Sequence, residues 1–241
     1  MTGSGANQSA TMPESVRALT GPTASAFAWI GDRSSDLVEH ACRVRFTSAG
    51  FDTAKFAEGP MILSANHRSL LDTAAIRHAL PATIRARTAT VGARDFFSPA
   101  ATDRGVRRLF RTALCAYVVR TYRVCLIGRG DDMGDGVERI TGLLQAGWNV
   151  ILFPEGTRAR GATLGRFRMG VAHIARVTHA RVLPIWIEGS DGLLPVGGKF
   201  INPGPVHVNA GTPMRIGAEY AQGDVVDVAV TSHDGRQLVA A

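Results

Sequence analysis

Cysteine is scarce in this chain of 241 residues: Cys42, Cys115 and Cys125 are an odd number with no close spacing. A disulfide framework or a zinc knuckle is therefore not expected, and a reducing compartment fits best. Long apolar runs are missing as well. No segment approaches the roughly 18–20 apolar residues that span a bilayer, and the piece Ala26-Phe27-Ala28-Trp29-Ile30 is too short. Glu14 and an otherwise polar lead-in argue against a secretory signal. No Gly-rich loop followed by Lys-Ser/Thr occurs, so nucleotide hydrolysis has no support. The expected location is the cytoplasm, with peripheral contact to a membrane and no transmembrane helix.

Lysine is scarcest of the charged residues, two against 25 arginines within a net charge of +7. The charge is uneven. Residues 85–129 hold ten Arg against Asp95 and Asp103, and residues 156–181 hold six Arg and no acid, so the remainder is net acidic. A GC-rich coding bias explains Arg over Lys but not the clustering, which suits an anionic substrate or surface. Aromatic residues make up 7% of the chain, and no nucleic-acid motif accompanies the arginines. A basic module for nucleic acid or anionic membrane is the distant alternative, and no nucleic-acid partner is expected.

At 45% hydrophobic the chain can bury one full core. Residues 1–15 are polar and small and read as a disordered leader. Residues 16–57 form an N-terminal segment whose apolar spacing predicts a helix over 23–47, with Ser34-Ser35 as an interruption; a surface helix packed on the domain is favoured over one lying in a membrane interface. From 58 to 216, strand candidates at 60–65, 87–92, 123–127, 149–153, 182–187 and 206–210 alternate with helical patterns at 69–80, 104–114, 133–146 and 166–179. That order predicts a single α/β domain: a mostly parallel mixed sheet covered by helices on both faces. Residues 217–241 are a mixed extension with a helix expected around 223–230.

Two stretches carry chemistry. Asn66-His67-Arg68-Ser69-Leu70-Leu71-Asp72 follows the apolar run Met61-Ile62-Leu63 and sets a His and an Asp five positions apart. Within one helix that spacing turns the side chains about 140° apart. With His67 in the turn before a helix and Ser69 as its cap, Asp72 falls at the third helical position and can reach back. A histidine oriented by a carboxylate is a general base. The same residues also fit a capping box with a turn histidine. The second stretch, Phe153-Pro154-Glu155-Gly156-Thr157-Arg158, ends the run Val150-Ile151-Leu152. Proline stops the ladder, glycine admits close backbone approach, and the Thr hydroxyl and Arg fork suit phosphate. Both stretches lie beyond strand ends, where open α/β sheets bind ligands.

In this order and at this distance, the pair resembles the glycerolipid (1-acylglycerol-3-phosphate) acyltransferase family. The resemblance covers residues 58–211. It implies an O-acyltransferase that moves a fatty acyl group from acyl-CoA or acyl-carrier protein to the free hydroxyl of a lysophosphatidate-like acceptor. His67 is then the base and Asp72 its orienting acid, with Glu155, Gly156, Thr157 and Arg158 in the acceptor pocket. Supporting blocks are Val124-Cys125-Leu126-Ile127-Gly128-Arg129, Phe167-Arg168-Met169-Gly170 before a helix, the Pro184 strand, and Arg94 after a short strand. They add Arg129, Arg168 and Arg94 as binding residues. Gly128 stands where the family pattern has Asp, which leaves room for a different lipid or a small polar acceptor. No metal and no cofactor beyond the thioester co-substrate is implied. His78, His173, His179 and His207 lack ligand spacing and read as surface or capping residues. Cys125 reads as a small core residue.

Overall fold

The computed structural model describes residues 14–20, 24–98, 104–128, 133–158, 165, 167–195, 198, 200–216, 230–233 and 238–240. Helices α1 (Glu14–Thr20) and α2 (Ala24–Ala41) lead into strand β1 (Val44–Ala49) and then β2 (Met61–Ala65). There follow α3 (Asp72–Ala79), α4 (Ala82–Arg85), β3 (Thr88–Ala93), α5 (Gly105–Thr121), β4 (Val124–Ile127), α6 (Met133–Gln145) and β5 (Asn149–Leu152). The domain closes with α7 (Gly170–Thr178), β6 (Arg181–Glu188), α8 (Ser190–Leu193) and β7 (Gly204–Ala210), and a separate pair, β8 (Val230–His233) and β9 (Leu238–Ala240), comes last.

Seven strands form one sheet in the order β1-β7-β6-β2-β5-β3-β4. The five from β6 to β4 are mutually parallel, whereas β7 runs antiparallel to β6 and β1 parallel to β7. The expected mostly parallel mixed sheet is therefore the observed one. The central strands β2 and β5 are largely apolar and buried because helices cover both faces. Met61 and Leu63 point to the side of Leu71, Ala75 and Ile76, while Ile62, Val150 and Leu152 point to the side of Ile140, Leu143 and Ile174. Met61, Ile62, Leu63, Ile151 and Leu183 are fully buried, each contributing about 1.5–3 kcal/mol. Pro184 is tolerated inside β6 because its carbonyl accepts from Gly211 N–H on the β7 side, and β7 pairing stops at Ile185. The missing proline N–H faces that same side, past the end of the ladder.

Several expectations need correction. The helix over 23–47 ends at Ala41, and residues 44–49 form an edge strand inside the main sheet. Ser34 and Ser35 do not interrupt the helix, since their hydroxyls donate to the Gly31 carbonyl. The helix also packs with its polar side inward. Asp32 faces Arg77 and Arg85, Glu39 faces His78, and Ser35 bonds Tyr122, while Trp29 (65% exposed) and Leu37 (66%) face outward. Burial pulls the Arg77 guanidinium down to about 10, and Asp32 opposes that shift. The expected leader to residue 15 gives way to α1 from Glu14, with residues 1–13 outside the described residues. The helix expected around 223–230 also falls outside them, save that Val230 opens β8.

Candidate active site

Strands β2 and β5 are neighbours, so the chain leaves both at the same edge of the sheet. His67 follows β2 and Glu155 follows β5, and they meet: the His67 backbone N–H donates to Glu155 Oε1 at 2.9 Å. The other carboxylate oxygen, Oε2, accepts from Gly165 N–H at 3.0 Å. Glu155 is 5% exposed and both its oxygens are engaged with backbone. Its geometry is thus that of a buried clamp between two loops.

Asp72 is fully buried and opens α3 as its first residue, not its third. Ser69 does not cap α3. Its hydroxyl accepts from Leu71 N–H and donates to the Leu194 carbonyl, which shifts the helix start onward. From the first turn Asp72 still reaches back as expected. Its Oδ2 accepts from Arg68 N–H (2.7 Å), Ser69 N–H (2.8 Å) and His67 Nδ1 (2.9 Å). Three donors converge on one oxygen; an ionised carboxylate only accepts, so the neutral imidazole tautomer that fits this bond has its proton on Nδ1 and its lone pair on Nε2. Phe153 stacks on the imidazole, with ring centroids 4.0 Å apart. Residue Asn66 anchors the turn by a pair of bonds to the N–H and carbonyl of Ile187 on β6. An imidazole held by a buried carboxylate, with its second nitrogen free of any partner among the described residues, can take a proton from a hydroxyl.

The basic residues gather less tightly. Gly156 has φ +69°, and a β-carbon there would come within 2.9 Å of Arg168 Nε, so the Arg168 side chain lies over this glycine. Arg168 N–H also donates to the Pro154 carbonyl, and Gly170 starts α7 just after it. Arg158 lies over the Phe96 ring at 5.5 Å, which brings the 153–158 turn against the turn after β3. Thr157 is exposed. Arg94 sits at the end of β3, its backbone N–H on the Ile127 carbonyl and its side chain exposed. Arg129 lies outside the described residues. Elsewhere, His78 pairs with Glu39, His179 ends α7 in a left-handed turn, and His207 bonds Thr47.

Sequence reasoning missed Arg68, Asn66 and Phe153 as parts of this site. Arg68 lies 6.0 Å from the Trp186 ring and 3.6 Å from Asp191. Its position beside His67 was the available signal. Nothing in sequence spacing announces the Asn66 bonds or the Phe153 stack, because their partners come from other strands.

This arrangement can be set beside known proteins. A chloroplastic 1-acyl-sn-glycerol-3-phosphate acyltransferase of Arabidopsis thaliana is 36% identical over 82 residues, 34% of this chain and 23% of that protein. A chloroplastic enzyme of the same name from Brassica napus is 37% identical over 75 residues, 31% of this chain and 22% of its own length. The chain thus matches less than a quarter of either relative's length. The crystal structure of the 1-acyl-sn-glycerophosphate acyltransferase of Thermotoga maritima shares the fold, with a TM-score of 0.53 over 83% of this chain and 72% of that one at 20% identity. The Acyltransferase family model matches residues 45–188, more than half of the chain. Both the His67–Asp72 turn and the Phe153–Arg158 turn fall within that match, and the chain belongs to the Acyltransferase family.

Proposed function

We propose that this protein is an O-acyltransferase for which His67 is the general base and a lysophosphatidate-like lipid the acceptor. The observation that carries the reading is the bond from His67 Nδ1 to the buried Asp72 carboxylate, which leaves Nε2 to work on a substrate. The names of the Arabidopsis and Brassica relatives support the acceptor class. Nε2 takes the proton of the acceptor hydroxyl as its oxygen attacks the thioester carbonyl carbon. The tetrahedral intermediate then collapses, the carbon–sulfur bond breaks, and the imidazolium returns the proton to the leaving thiolate. The products are an ester and a free thiol. No enzyme nucleophile and no further cofactor enter. Asp72 stabilises the imidazolium that forms between the two transfers.

Arg158 and Arg168, with Arg94 and Arg129, supply the positive charge for the acceptor phosphate, Thr157 offers it a hydroxyl, and Gly156 lets the backbone of the turn approach closely. Acyl-CoA and acyl-carrier protein both satisfy the donor chemistry. Gly128 in place of an acid favours keeping a second reading, an acceptor that is another lipid or a small polar alcohol. Purified protein given acyl-CoA and lysophosphatidate is expected to release free thiol, and His67→Ala to lower that rate by about 10²–10⁴-fold. Thiol release that survives His67→Ala overturns the base assignment. An acceptor panel read by mass spectrometry decides between the two acceptor readings.

A further inference from the structure

Helix α5 has an unusual surface. Every residue from Arg104 to Phe110 is exposed, and Val106 (83%), Leu109 (70%), Phe110 (67%) and Leu114 (48%) all face outward. At about 100° per residue, Val106, Leu109, Phe110, Ala113 and Leu114 share a stripe about 140° wide, Arg104, Arg108 and Arg111 lie across from it, and Arg107 borders it. The sequence from Arg104 to Gly128 contains no acid. Helices of globular domains bury the apolar stripe, yet in α5 the buried residue is Thr121, at its far end. Exposed apolar surface of this extent marks a contact.

The topology fixes which way this helix end faces. Strands β3 and β4 are parallel, so α5 must carry the chain back from the C-terminal ends of the strands to their starts. Its first turns therefore lie at the edge where His67 and Glu155 leave β2 and β5. Other exposed apolar side chains follow strand ends at this edge: Leu70 (48%), Phe96 (47%), Phe167 (48%) and Met169 (49%). Apolar groups backed by arginine, beside a site for a lipid acceptor, match an anionic bilayer in charge and in polarity.

We infer that the first three turns of α5 dock on an anionic lipid bilayer, with Leu109 and Phe110 entering the acyl boundary and the arginines meeting lipid headgroups. This rests on the acyltransferase reading for its purpose, in that it sets the candidate active-site edge against the membrane that holds the acceptor. The contact itself depends only on α5.

The test uses the purified full chain and sucrose-loaded vesicles of phosphatidylcholine, alone or with about 30% phosphatidylglycerol. The wild type is expected to co-sediment with the anionic vesicles, Leu109→Asp/Phe110→Asp to lose at least about tenfold in partitioning, and Arg104→Gln/Arg108→Gln to lose the preference for anionic lipid and much of its salt sensitivity. All four residues are exposed, and circular dichroism confirms that the variants are folded. Equal vesicle binding by wild type and both variants overturns the proposal. So does concentration-dependent self-association in light scattering that Leu109→Asp/Phe110→Asp abolishes, since a second copy then covers the stripe. On water-soluble short-chain substrates Leu109→Asp/Phe110→Asp is expected to keep its rate within about twofold, and on vesicle-borne acceptor to lose most of it. Vesicle binding that behaves as expected without thiol release from any acceptor removes the proposed chemistry and leaves the surface standing. Thiol release with vesicle binding indifferent to α5 does the reverse.

Discussion

Two buried carboxylates organise the site, and they differ in what they hold. Asp72 gathers the His67 imidazole and two backbone N–H groups on one oxygen, whereas Glu155 holds only backbone, one N–H on each oxygen. Asp72→Asn keeps a carbonyl oxygen for the backbone donors but removes the charge opposite the imidazolium. It is expected to lower kcat by about 10²–10⁴-fold with KM little changed, measured by steady-state thiol release. Glu155→Gln turns an amide NH₂ toward a backbone N–H. That should destabilise the fold by about 1–3 kcal/mol, a loss of several degrees in a thermal melt for a chain of this size. The His–Asp reach was legible in the sequence because both residues belong to one turn. The Glu155 bonds were not, since the donors lie 88 residues before it and ten residues after it. An acid next to an arginine fork looks like a pocket residue until its partners are known to be main chain.

At the scale of elements, periodicity located β2 to β7 to within two residues at either end but missed β1, and the aromatic-basic-x-Gly step did open a helix at Gly170. It was less informative about orientation. The apolar residues Trp29 and Leu37 suggested a face that packs on the domain, but the helix instead presents Asp32, Ser35 and Glu39 to Arg77, Arg85, Tyr122 and His78. A hydrophobic pattern says which residues share a face and not which way that face turns, and buried arginine on the domain reversed the usual choice. Where α2 crosses α5 the fit is close. A β-carbon at Gly31 would stand 2.9 Å from the Thr121 carbonyl oxygen, which is backbone and cannot swing aside. Gly31→Ala is expected to destabilise the protein by about 1–3 kcal/mol despite the better helix propensity of alanine, seen as a lower midpoint in denaturant.

The whole molecule was legible as an α/β sheet, since strands alternated with helices along residues 58–211. The reversal of β1 and β7 was not, because β1 sits in a segment that read as helix and pairs with a strand some 160 positions later. The thiols test the global packing. Cys125 is buried on β4, and burial pushes its thiol up to about 11, while Cys42 and Cys115 are half-buried. At pH 8 a thiol reagent is expected to label Cys42 and Cys115 readily and Cys125 only as the domain opens, so its labelling rate follows stability through a denaturant series. The span between His67 and Glu155 has a consequence of its own. One carboxylate grips the main chain of the proposed base and the main chain of Gly165 beyond the second turn. The two loops are thereby one moving part. On the proposed reading, a ligand that draws in the turn around Gly156 would also pull on the backbone of His67, so that seating a substrate and aiming the base would be a single displacement.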